Sequence, residues 1–132
     1  MTPRSVFTAH AVVAIAYAIP MLAAPAQVLA TYGLVADGTA IGLARLLAAA
    51  FATFATVAWA SRDLPEVAGA RVAGGFALGL AIGAVVAVWN QLTTTGNAMG
   101  WSSVVVYAGL AFAYWRASAS REAPAGTRLQ AG

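Results

Sequence analysis

Cysteine and lysine are both absent from this chain of 132 residues, and only 8% of it is charged. Without thiols, the sequence excludes disulfides, thiolate nucleophiles, iron–sulfur ligation and thiolate zinc sites. Acidic residues are nearly as scarce, with only Asp37, Asp63, Glu66 and Glu122 present. No nucleophile–base pair, carboxylate pair or metal-ligand set can be assembled from what remains, so the chain is not expected to be an enzyme or to hold a metal or cofactor. His10 is the single histidine. With no partner spaced to form a metal site or proton relay with it, it reads as an interfacial residue. The arginines form no run with interleaved aromatics, which excludes a nucleic-acid site.

What is present is apolar. Hydrophobic residues make up 61% of the chain, and its mean hydropathy is +0.80. A soluble domain carries roughly a quarter charged residues because its surface must face water. Here too few are available for that, so apolar surface must face lipid. A spanning helix needs about 20 mainly apolar residues. Four stretches qualify, at 6–29, 39–60, 72–92 and 99–115. The segments between them carry turn and stop signals: Asp37-Gly38, Pro65 and Thr95-Gly96-Asn97. The expected fold is therefore all-α, a polytopic membrane domain over 1–116 built as an up-and-down bundle of four transmembrane helices. The Ala-, Ser-, Gly-, Pro- and Arg-rich stretch 117–132 is expected to be a disordered tail. Arg4, the apolar run after it and Ala24-Pro25-Ala26 also resemble a cleavable signal peptide, although the run is long for one and contains Pro20.

Orientation follows from arginine. Arg4, Arg62, Arg71, Arg116, Arg121 and Arg128 all fall on one face of this topology, while the opposite face carries only Asp37. The positive-inside rule puts that arginine face, with both termini, in the cytoplasm. Trp59 and Trp115 sit at the same ends, and Trp89 and Trp101 near the other, as interfacial aromatic belts would.

In lipid, helices gain little hydrophobic energy by pairing, so close backbone approach has to supply the attraction. Gly75, Gly79, Gly83 and Ala87 repeat every four residues in the third span, and Ala44, Ala48, Ala52, Thr56 and Ala60 do so in the second. These stripes are expected to pack on one another within a chain, or to form a homo-oligomeric face. Pro20 and Pro25 each remove a backbone donor and should kink or end the first helix. Arg45 lies about 10 Å inside the span on helical rise, where a charge costs at least about 2–3 kcal/mol. Aligning the helices by their connections brings Gln27, Asn90, Gln91, Ser102 and Tyr107 to similar height. Either Arg45 snorkels to phosphates as an anchor, or this cluster binds an anionic or carbonyl-bearing ligand.

Ala44-Arg45-Leu46-Leu47-Ala48-Ala49-Ala50, the later Trp59 with its charged turn, Tyr32-Gly33-Leu34, and Asn97-Ala98-Met99-Gly100-Trp101 ahead of Tyr107 resemble a group of small bacterial four-helix membrane proteins, loosely similar to DoxX-like proteins. That resemblance covers roughly 20–115 and implies a bacterial inner-membrane location, with no catalytic residues to carry over. The expected function is thus a structural or accessory membrane component, whose partners are the bilayer and a membrane protein or further copies of itself. The alternative is a small oligomeric transporter or a lipid- or anion-binding bundle using the pocket around Arg45.

Overall fold

The computed structural model describes residues 3–93 and 97–119. They form α1 (Pro3–Ala23), the short α2 (Pro25–Thr31), α3 (Gly38–Ser61), α4 (Glu66–Thr93) and α5 (Gly100–Ala119). The chain is all-helical, and α1, α3 and α4 are long and apolar enough to cross a membrane. The helix over the expected fourth span has 20 residues, but Ser102, Ser103, two Trp, two Tyr and Arg116 keep it below the apolarity of the other three. Leu46, Leu78, Val85 and Val105 are each at least 66% exposed. Such side chains on the outer faces need an apolar solvent.

Several boundaries differ from the sequence expectation. The first apolar run is two helices. Its ladder ends at Ala23, Ala24 takes a non-helical conformation (φ −142°, ψ 55°), and Pro25 starts α2 at the position where a missing N–H costs nothing. Pro20 stays inside α1. Asp37 caps α3, its Oδ1 accepting from the Ala40 amide at 2.8 Å. Helix α4 begins at Glu66, a turn and a half before the expected start at 72. The helix α5 continues through Ala119, so 117–119 are helical rather than part of a tail. The expected turn at Thr95-Gly96 and the tail from 120 onward lie outside the described residues.

The helices alternate in direction. Arg4 at the start of α1 pairs with Asp63 after α3 at 3.4 Å. Phe7 of α1 packs on Phe76 near the start of α4 and on Tyr114 near the end of α5. At the opposite end, Thr31 and Tyr32 meet Asn97. The packing partners, however, are not those expected. Helix α3 packs on α1, and α4 packs on α5, while α3 and α4 make almost no direct contact despite the short connection joining them. The glycine stripe of α4 and the alanine stripe of α3 therefore do not meet.

Helical geometry explains the misreading. Four residues advance an α-helix by about 400°, so a strict four-residue stripe rotates by roughly 40° at each step. What α3 buries is Ala44, Ala48, Ala55 and Ala58, alternating steps of about three and a half residues. Ala52 is half-buried, and Thr56 and Ala60 are exposed. The facing seam on α1 is Ala11, Ala14 and Ala18. Small side chains on both sides let the two backbones approach closely, and dispersion supplies the attraction.

The two seams separate two readings of α3. Ala58 is fully buried, so Ala58→Leu should destabilise the bundle by about 1–3 kcal/mol through overpacking, seen as a lower unfolding temperature in detergent. Ala60→Leu should be neutral. Equal effects would restore the strict four-residue stripe.

Candidate functional site

Because α3 and α4 diverge, the bundle is closed at its ends and open along one side. The arginine-bearing end is closed by Val6, Phe7, Ala11, Ala58, Ala73, Tyr114 and Ala117, the main buried cluster. The other end is held by a clasp around Asn97. Its amide donates to the Tyr32 carbonyl (3.2 Å), its Nδ2 to the Thr31 carbonyl (2.9 Å), and its own carbonyl accepts from Gln91 Nε2 (2.9 Å). Asn97 Oδ1 also accepts from the Met99 amide at 2.9 Å. Gly33, with φ 74°, lets the loop close over Asn97, where a Cβ would sit 3.3 Å from it. The Gln91 carboxamide occupies the place a Gly100 side chain would take.

Between these closures lies a cleft of about 1160 Å³ lined by all four long helices. Voids inside a packed protein are few and seldom larger than a water molecule, so a volume of this size is a cleft open to its surroundings rather than a packing defect. The lining is mostly apolar, which disfavours filling by water. Gly75 and Gly79 form part of the wall, and a Cβ on either would meet nothing within 4 Å. They are wall rather than helix contact. Gly83 differs: a Cβ there would lie 2.7 Å from Tyr107 Cδ1, so its absence lets the Tyr107 ring lie flat against α4.

Most polar groups gather at the two ends of the cleft, with Thr53 and Tyr107 between them. Near the clasp are Asn90, Gln91, Ser103, Tyr32 and Tyr17. The Tyr17 hydroxyl neighbours Tyr32 and Ser102, and the Ser102 hydroxyl itself donates to the Met99 carbonyl at 2.7 Å. At the other end His10 lines the cleft although it is only 4% exposed. Its Nδ1 lies 3.0 Å from the Tyr114 hydroxyl. Phe76 meets the imidazole edge to face at 4.8 Å and stacks on Tyr114 at 5.1 Å, and Phe7 closes the cage against Tyr114 at 5.2 Å. Phe76 and Asn90 are fourteen positions apart on α4, so the polar ends are separated by about 21 Å on helical rise.

Of the residues expected to cluster, Asn90, Gln91 and Tyr107 do line the cleft, and Ser102 stands behind Tyr17. Arg45 and Gln27 do not join them. Both are exposed and neither contributes to the wall, where Ala44, Leu47, Val28 and Leu29 take their places. One residue along a helix is a rotation of about 100°, so with Ala44 buried on α1, Arg45 turns to the outer surface. Depth alignment placed its height but not its face. His10 is likewise not an interfacial residue; it is buried and partnered. Sequence reading missed His10, Tyr17 and Tyr114 at the site. Phe7, His10, Ala14 and Tyr17 recur at helical spacing on one face of α1, and Tyr107 and Tyr114 are seven apart on α5, a pattern that marks an aromatic inner face.

Comparison with protein-family models, with curated proteins and with solved structures finds no match to this chain. The site's meaning rests on its own geometry.

The two glycine environments predict opposite outcomes. Gly83→Ala should displace Tyr107 and lower stability by about 1–3 kcal/mol, as overpacking does. Gly79→Ala should be neutral or stabilising by up to about 1 kcal/mol, because alanine is the better helix former and the space is open. Thermal unfolding of both variants in one detergent compares them directly.

Proposed function

We propose that this is a four-span membrane protein that binds one long-chain amphiphile in the cleft between α3 and α4. The observation that carries this reading is a mostly apolar cleft, open at the side and closed at both ends, whose polar lining is concentrated near those ends, with Tyr107 and Thr53 between them. A ligand entering through the α3–α4 gap would come from the same hydrocarbon that the outer helix faces require. Its apolar body would lie on the glycine wall, with its polar part at one end of the cleft. The volume of about 1160 Å³ lies somewhat above the usual range for small-molecule sites, about 300–1,000 Å³, as suits a long flexible ligand. No charged side chain lines the cleft. A role in binding or presenting a lipid therefore fits better than anion transport through Arg45, and proton-coupled export of cations lacks the intramembrane carboxylate it needs.

In this reading α5 is the fourth span, completed by its packing on α4, and the arginine-bearing end lies in the cytoplasm with both termini. Arg45 then acts as an anchor that snorkels to outer-leaflet headgroups. The resemblance to DoxX-like proteins supports a bacterial inner membrane. A structural or accessory role is retained as the setting in which such an amphiphile would be held beside a partner protein or another copy of the chain.

Two experiments test this. A photoactivatable long-chain lipid incorporated into nanodiscs with the protein should crosslink to residues of the cleft such as Phe51 and Leu80. Gly79→Leu, which fills the cleft where a side chain has space, should reduce that labelling severalfold while the protein still folds. Labelling confined to the outer faces, or unaffected by Gly79→Leu, rejects the cleft as a ligand site. For topology, the cysteine-free chain makes any introduced thiol unique. Arg128→Cys should react with a membrane-impermeant maleimide only after the cells are opened, whereas Asp37→Cys should react in intact spheroplasts.

A further inference from the structure

The His10–Tyr114 pair carries chemistry that a purely structural contact does not require. Tyr114 is 0% exposed, and among the described residues its hydroxyl has a single partner, His10 Nδ1. A buried hydroxyl proton needs an acceptor. If Nδ1 carried a proton and donated it to Tyr114, the tyrosine's own proton would be left with nothing to accept it. The balanced arrangement has the Tyr114 O–H donating to a bare Nδ1, which places the imidazole proton on Nε2. Since His10 also lines the cleft, this nitrogen is the one left to face it.

We propose that His10 presents an Nε2–H donor to the cleft, and that the amphiphile bound there carries an uncharged carbonyl oxygen, an ester or a ketone, that accepts it. This rests on the cleft being an amphiphile site and names the group it recognises. The ligand oxygen is uncharged because the cage around His10 consists of the Phe7, Phe76 and Tyr114 rings. The nearest arginine along α1, Arg4, is about 9 Å away on helical rise and is paired with Asp63. A carboxylate or phosphate seated among these rings would be desolvated, whereas a carbonyl needs only one donor. An ester carbonyl of a bilayer lipid and the carbonyl of a free long-chain compound supply the same group.

Because His10 is the single histidine, imidazole-¹⁵N histidine labelling of the full chain reports on this residue alone. In nanodiscs of ether-linked phospholipid, which contain no carbonyl, the ¹⁵N spectrum should show the Nε2–H tautomer. Replacing these with ester-linked phospholipid should shift the Nε2 resonance if the bilayer lipid is the ligand. Adding methyl palmitate to the ether-linked discs should shift it if a free carbonyl compound is. Hexadecane should leave it unmoved in either case. Tyr114→Phe, which keeps the ring and removes the hydroxyl, should release the tautomer preference and produce a mixture. An Nδ1–H tautomer in the wild-type protein overturns the proposal. So does an Nε2 resonance indifferent to both carbonyl sources while the photolabel still occupies the cleft, a result that leaves the amphiphile reading standing. Loss of photolabel from the cleft would reject both.

Discussion

Close approach between α1 and α3, made possible by alanine on both sides of the seam, is the constraint on which the rest of the molecule depends. Helix α3 leaves Ser61 through a short turn into α4, so the simplest arrangement would pack those two together. Instead the Ala44–Ala58 face of α3 is taken up by α1, and α4 is drawn to α5 through the Gly83–Tyr107 contact. The first pairing takes up Ala44 and Ala48 of the α3 stripe, the second only Gly83 of the α4 stripe, and Gly75 and Gly79 are left on the cleft wall. Once both are satisfied, nothing on the α3 face toward α4 is short enough to bring the backbones together, and Leu43, Leu47, Phe51 and Phe54 project into the space between.

The two ends of the bundle keep this divergence from becoming separation. At one end an aromatic cage joins α1, α4 and α5, with Arg4, Asp63 and Arg62 gathered at its rim. That ion pair is solvent-exposed and contributes little on its own, about 0–1 kcal/mol; the stacked rings do more of the holding. At the other end a single asparagine ties two loops by its backbone and its side chain. A cleft bounded in this way keeps its shape without helix-to-helix contact along its open side.

The pairing of polar groups at the ends of the cleft also has a physical reason. Each hydroxyl, amide or imidazole inside an apolar volume costs free energy unless bonded; Gln91 bonds to Asn97, and His10 to Tyr114.

Helix existence, the approximate reach of each apolar stretch, the break before α3 and the alternation of direction were legible in the sequence, because each follows from local composition and from the length needed to cross hydrocarbon; Asp37-Gly38, expected as a turn, is the cap and first residue of α3. The inward aromatic face of α1 was legible in principle from the spacing of Phe7, His10 and Tyr17. Which helix packs on which was not. Small-residue stripes on α3 and α4 are equally compatible with several partners, and a spacing of four drifts around the helix, so the spacing of Ala44, Ala48 and Ala52 could not say that the seam continues through Ala55 and Ala58. Nor could it say that Arg45, one residue from a buried alanine, faces outward. Composition and periodicity determined that this chain is a set of apolar helices with one arginine-rich end. Only tertiary structure decided that the set opens between α3 and α4, because that depends on competition among pairings, and each helix face can satisfy one neighbour alone.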